Sequence, residues 1–424
     1  MSKIDHVSAV EILDSRGRPT LMVSCKLNDG TLTHASVPSG ASTGGAEALE
    51  LRDGDPNRYA GLGCLKAVGN VNTIINDALA DKTFTSQADL DRALIDVDGT
   101  ENKSRLGANA VLGVSLAFCR AQAAAQNKPL FQHIATLAET TPHLPRPMIN
   151  LYSGGKHGGG QTEIQDVQIV SPVAGSIRRT LEVMSDVFRA AVALAAEQHS
   201  MRLLTADEGG LAPPFQKTEA MFAAAVTAIE RAGYTPGSQV ALTVDVAASH
   251  FYEAPHYHID DQHITNTEMV SRISTWCRDY PIISVEDGLS DEDWSGWQVL
   301  YGNLANAVMV LGDDLLCTNP VRIRRAVEEK AANSLLLKVN QIGTLSEAID
   351  AYQLARQAGW QVVVSARSGE TEDDWLADLA TGLSGDYIKV GSITQSERLA
   401  KYNRLLFLEH YHGLSLKAEG TTND

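Results

Sequence analysis

The sequence predicts an α/β protein: a closed barrel of alternating strands and helices in the C-terminal part, after a smaller region of strands and then helices. Three observations predict it. Short apolar runs end at Asp245, Glu286, Asp313, Lys338, Ser365 and Lys389, at separations of 41, 27, 25, 27 and 24 residues. Each gap after the first is about one strand–helix unit, and helical patterns fill the gaps. Repetition at that spacing implies parallel strands with right-handed crossovers, and so many units favour closure over an open sheet. Finally, five of the runs (VALTVD, YPIISVE, AVMVLGD, NSLLLK and DYIK) stop on a charged residue. Desolvating an unpaired charge is costly, so a buried strand needs a reason to end on an ion. In such barrels the C-terminal strand ends carry the active site.

Along the chain, residues 1 to about 60 read as short strands and turns. TLMVSCKL alternates, NDG turns, and TLTHASV resumes the strand pattern, which predicts a β-hairpin. SVPSGASTGGAEALELRDGD is too rich in Gly and Ser for a regular element and reads as a loop. Asn109 to Gln126 is Ala- and Leu-rich and predicts a buried helix, with a second around LFQHIATLA. The three prolines of ETTPHLPRP mark a linker, so the domains are expected at 1–139 and 140–424. In TLSEAIDAYQLARQAGW, Leu345, Ala348, Ile349 and Tyr352 share one helix face. Thr344 and Glu347 match a capping box there, and Gly359 suits the helix stop. Asn319-Pro320 reads as an N-cap followed by a first-turn proline.

A net charge of −17 argues against nucleic acid and against an anionic membrane surface, both of which are bound by clustered Lys and Arg. An anionic substrate would therefore need local cations. The five cysteines are widely spaced and form no C-x-x-C pair, which predicts buried thiols in a reducing compartment. The N-terminus carries charges within its apolar pattern and is not a signal peptide, so the expected location is the cytoplasm. No stretch approaches the roughly 20 apolar residues of a membrane span.

Asp245, Glu286 and Asp313 offer only oxygen donors, with no Cys or clustered His, which selects Mg²⁺, Mn²⁺ or Ca²⁺ over Zn²⁺. The plainer alternative is that each acid caps the helix that follows. Lys338 and Lys389 would flank that cation, one of them as a general base or both as neutralisers of an anionic ligand. In TADEGGLAPP, Asp207 or Glu208 could deliver a proton, or the segment could be simply a turn. His157 lies in a glycine-rich loop where a structural role is the commoner one. Arg367 and Ser368 in SARSGETED suit an anionic group, Arg by its bidentate fork. PSGASTG lacks the Gly-Lys-Ser/Thr ending of a P-loop.

Over nearly its full length the chain resembles the enolases. The stretches that carry the likeness are EILDSRGRPT, VPSGASTG, EALELRDGD, DVDGTENKS, GANAVLGVSLA, ADEGGLAP, VDVAAS, SVEDGL, GDDLLCTN, KVNQIGT, RSGETED and IKVGS. The resemblance implies an α+β N-terminal domain and a modified (β/α)8 TIM-type barrel. It implies an Mg²⁺-dependent hydro-lyase that dehydrates 2-phosphoglycerate to phosphoenolpyruvate, with two Mg²⁺ per active site. Asp245, Glu286 and Asp313 then match the ligands of one ion, and Ser39 a ligand of the second. Lys338 matches the base, Glu208 the acid, and Arg367 and Ser368 the phosphate contacts. Lys389 matches a carboxylate contact, while Gln165 with Asp166 and His157 match substrate-lining positions. The partner implied is a small phosphorylated anion, and the assembly a homodimer.

Four positions depart from the family pattern. Ala366 stands where the family has His, Asp166 where it has Glu, and Ser153 where it has Asn, and a run of glycines follows His157. The metal and proton-abstraction set is intact, so the departures gather on substrate recognition and hydroxide departure. They leave open a paralogue acting on a phosphonate or carboxyphosphonate analogue. A non-catalytic binding protein of the same family is the third reading.

Overall fold

The computed structural model describes residues 2–41, 44–200 and 204–417. Strands β1 (Ser2–Leu13), β2 (Pro19–Leu27), β3 (Leu32–Ser36) and β4 (Thr83–Phe84) form an antiparallel sheet in the order β3-β2-β1-β4. The predicted hairpin is β2–β3, with Val23 opposite Ala35 and Cys25 opposite Thr33. Alternate residues of β2 face inward, and the helix Ala108–Ala125 lies on β2 and β3. A second helix, Leu130–Ala138, follows it and stops at Glu139, which takes a left-handed conformation.

After the proline-rich segment come β5 (Arg146–Ser153), β6 (Asp166–Val170) and β7 (Ala241–Asp245). The helices Ile177–His199 and Thr218–Arg231 separate β6 from β7. A small antiparallel sheet follows, made of β8 (Tyr252–Glu253), β9 (His256–Ile259) and β10 (Gln262–Thr265). Then come β11 (Ile282–Glu286), β12 (Met309–Gly312), β13 (Ser334–Leu337), β14 (Gln361–Ser365) and β15 (Tyr387–Gly391), with helices between them. The barrel closes in the order β11-β12-β13-β14-β15-β5-β6-β7. These strands are apolar and almost wholly buried because the helices cover one face and the barrel interior the other. Met148, Val170, Ala241, Leu311, Leu336 and Val363 pack together as a separate interior cluster.

The strand pairing differs from a uniform parallel barrel at one place: β6 runs antiparallel to both β5 and β7. A hairpin joins β5 to β6, with Ser153 opposite Asp166, so no crossover helix is needed there. Asp245 and Glu286 end their strands as expected, and Asp313 and Lys338 stand one residue past theirs. Lys389 does not end its strand, because β15 runs on to Gly391. The Asn319 cap accepts from the Val321 amide with Pro320 next to it, and Gly359, at φ +75°, follows the end of the helix Leu345–Gln357. The capping box there is only half made. Thr344 accepts from the Glu347 amide, but the Glu347 carboxylate takes the Thr344 hydroxyl and Lys103 Nζ at 2.7 Å each.

The N-terminal strands and helices are tied to the barrel by hydrogen bonds and ion pairs. Asp373 accepts from the Ser36 amide at 2.9 Å and from Arg120 Nη1 at 2.9 Å. Asp91 accepts from the Ser346 amide at 2.9 Å. Among the described residues no helix is long and apolar enough to cross a membrane.

Candidate active site

The C-terminal ends of the parallel strands gather the charged residues at one mouth. Asp245 pairs in register with Glu286 on the neighbouring strand, and Ser365 with Lys389. Lys389 Nζ donates to Asp245 Oδ2 at 2.8 Å and to Glu286 Oε1 and Oε2 at 2.8 and 2.7 Å. Gln165 Nε2 donates to Asp245 Oδ2 at 3.0 Å. Asp313 turns the other way, to Lys338 Nζ and to Gln341 Nε2 at 2.8 Å. The expected triad is thus divided between two amines, Asp245 and Glu286 on Lys389 and Asp313 on Lys338.

One ammonium does not balance two buried carboxylates. Burial, and then the Asp245 charge, hold Glu286 well above the usual carboxylate range, while Lys389 opposes them. Burial favours neutral Lys338, but Asp313 and Glu286 together offset it and hold the amine above the ordinary lysine value. Asp287 accepts from the backbone amides of Asp313 at 3.0 Å and Asp314 at 2.7 Å, and so fixes the loop that presents Asp313. The donor set is wholly oxygen, buried and short of positive charge, which fits a hard divalent cation.

His157 forms a second unit across the mouth. Its Nδ1 bonds Asp166 Oδ2 at 2.9 Å, and its Nε2 lies 3.7 Å from Glu208 Oε1. Burial alone would depress this imidazole, but Glu208 and Asp166 push it up to about 9. Asp166 also takes the Ser153 hydroxyl, and Glu208 Oε2 accepts from Asn150 Nδ2 at 3.0 Å. Gly154 belongs to the same hairpin, and a Cβ there would fall 1.8 Å from Thr162 Oγ1. His157, Asp166 and Glu208 form one group whose ligand atoms lie within 4.8 Å of one another, and Asp287, Asp313 and Asp314 another.

Arg367 and Ser368 lie just past β14. Arg367 Nη1 donates to Glu47 Oε2 and to Asn340 Oδ1, both at 3.0 Å. Ser368 Oγ accepts from Arg16 Nη1 at 3.0 Å. Wholly buried Arg398 holds their backbone, donating to the carbonyls of Arg367 at 2.8 Å and Ser368 at 2.6 Å. Ala366 is buried, and its amide donates to the Lys389 carbonyl at 2.9 Å. Ser39 is brought to this corner by its backbone, bonded to Gly369 in both directions. Its hydroxyl accepts from Arg52 Nη2 at 2.6 Å and donates to Glu50 Oε2 at 3.1 Å, so it does not face the carboxylates of the mouth. Ser42 and Thr43 of the same motif lie outside the described residues.

Sequence reasoning missed Glu47, Arg16, Asn340, Gln341 and Arg398 as members of this corner. Glu47 and Arg16 sit inside two of the stretches that carried the family likeness. A cavity of about 510 Å³ opens at the other end of the barrel, by Arg146, Met309, Gln361 and Lys417, and contains none of the candidate residues.

Two family models match the chain. The enolase N-terminal domain matches residues 4–134, and the enolase C-terminal TIM barrel domain matches residues 141–423. The chain belongs to the enolase family. Its closed eight-stranded barrel and its acidic groups agree with a lyase-type member whose acidic side chains could hold a metal ion. In this enolase-family chain the departures at Ser153 and Asp166 are joined through a single hydrogen bond, with His157 on the other oxygen of Asp166.

Proposed function

We propose that this chain is an Mg²⁺-dependent hydro-lyase that converts 2-phosphoglycerate to phosphoenolpyruvate. The observation that carries the reading is the pairing of one amine, Lys338, with Asp313 while a second, Lys389, lies between Asp245 and Glu286. With Asp313 turned from it to a cation, Lys338 is released as the neutral amine that removes the proton from the carbon beside the substrate carboxylate, and Lys389 contacts that carboxylate. Glu208 is the acid with which the β-hydroxyl leaves as water, taking the proton it delivers from the protonated His157 beside it. Arg367 and Ser368 hold the phosphate, and Gln165, Asp166 and His157 line the substrate. Asp245, Glu286 and Asp313 would hold one Mg²⁺. Bound there, the cation supplies positive charge to the carboxylate oxygens as the carbanion forms. The second Mg²⁺ expected at Ser39 requires that hydroxyl to turn from Arg52. The working unit in this reading is a cytoplasmic homodimer.

Turnover of 2-phosphoglycerate with Mg²⁺, and exchange of its C2 proton, test the proposal. Lys338→Ala should abolish exchange, and undiminished exchange would sink it. A second reading keeps the chemistry and changes the substrate to a phosphonate or carboxyphosphonate analogue. It is favoured by Ala366, buried at the base of the anion-binding loop in place of a bulky imidazole. Preferential turnover of such an analogue would decide for it.

A further inference from the structure

The small sheet β8–β10 carries a cluster of imidazoles that has no part in the chemistry above. In HYHIDDQHI the strand alternation sends Tyr257 and Ile259 into the core, both fully buried, and leaves His256 and His258 on the outer face. Asp260 and Asp261 form the two-residue turn, at φ +49° and +60°. That turn fixes the register, which sets His263 directly opposite His258 and Glu253 directly opposite His256. All four side chains therefore share one face. The rings of His258 and His263 lie 4.0 Å apart between centroids, and Glu253 Oε2 lies 3.5 Å from His258 Nε2.

The backbone beneath is rigidly held. Asp260 accepts from the Thr218 amide at 2.9 Å and pairs with Arg272, while the Tyr257 hydroxyl accepts from the Ser290 amide at 2.9 Å. A strand with His at alternate positions and a third His across the ladder places three imidazoles on one face, and imidazole nitrogen is a donor that a borderline transition metal accepts, with metal–nitrogen bonds of about 2.0–2.1 Å. The Glu253 side chain is 83 % exposed and can swing toward the imidazoles without disturbing the core.

We propose that this face is a binding site for a transition-metal dication such as Zn²⁺, separate from the carboxylate mouth, with His258 and His263 as its principal ligands and Glu253 and His256 completing it. Imidazole selects such an ion over Mg²⁺, so saturating Mg²⁺ leaves the site open. The test is calorimetric titration of Zn²⁺ into the full chain with Mg²⁺ in excess, comparing the wild type with His258→Asn/His263→Asn. One Zn²⁺ per chain should be taken up by the wild type and that uptake lost in the double variant, with circular dichroism unchanged. Equal uptake by both proteins, or none by the wild type, overturns the proposal. His263 is exposed, so His263→Asn alone serves if the double variant fails to fold, and it too should weaken uptake.

Discussion

Arg367 and Glu47 form a buried ion pair, Nη1 to Oε2 at 3.0 Å, between the end of β14 and the N-terminal loop. The pair places a carboxylate where the proposed function requires a phosphate. Glu47→Gln should therefore destabilise the chain by about 3 kcal/mol, because it removes a carboxylate that neutralises a buried guanidinium. Inorganic phosphate should restore much of that loss and help the wild type less. Thermal unfolding with and without phosphate checks this, and an identical phosphate response in both proteins would refute it.

Lys389 stands in the position of a cation toward Asp245 and Glu286. Lys389→Met should lower stability by about 3 kcal/mol in metal-free buffer, since two buried carboxylates then face each other without an amine. Added Mg²⁺ should raise the melting temperature of the variant more than that of the wild type. Equal shifts would show that these carboxylates do not hold the ion.

In the proposed function, Ala366→His places an imidazole on the leaving-group side of the pocket. The expected gain in kcat/KM for 2-phosphoglycerate is about tenfold, the worth of one well-placed hydrogen bond at about 1.4 kcal/mol. Steady-state kinetics on both substrate types measures it. A fall in turnover would favour the phosphonate reading.

His133 gives a pH prediction far from the mouth. Burial, assisted by Lys128, pushes its imidazole down to about 4, and neither ring nitrogen has a hydrogen-bond partner. The unfolded chain binds this proton near pH 6.5 and the folded chain does not, so stability is full above about 6.5 and falls as pH drops toward 4. The slope approaches about 1.4 kcal/mol per pH unit within that window. His133→Leu should flatten that part of the stability curve, measured by urea unfolding across pH 4 to 6.5.

What was legible in the sequence follows from the range of the interactions. Strand ends at Asp245 and Glu286 announce themselves because a charge after an apolar run is a local contradiction. The mid-strand place of Lys389 was not visible, since VGS after it reads equally as strand or loop. The capping box at Thr344 failed by half for a tertiary reason: Lys103, from a distant part of the chain, draws the Glu347 carboxylate away. Ser39 was drawn to the pocket by its motif, yet its hydroxyl is held by Arg52 and Glu50, a local choice no spacing reveals. Contacts such as Arg367 with Glu47 join residues 320 apart, and only the fold brings them together.

The reversed strand β6 has a consequence for how this protein can change. Because β5 and β6 form a hairpin, Asp166 reaches the catalytic rim from the beginning of a strand, whereas Asp245 and Glu286 reach it from the ends of theirs. Three of the departures from the family pattern, Ser153, Asp166 and the glycines after His157, fall within this one short excursion. It can be rewritten without altering any crossover helix or the register of the parallel strands that carry the carboxylates and lysines. Under the proposed function, the barrel thus separates its inheritance into two parts: a chemical core bound to the repeating architecture, and a selective edge free to drift on a single loop.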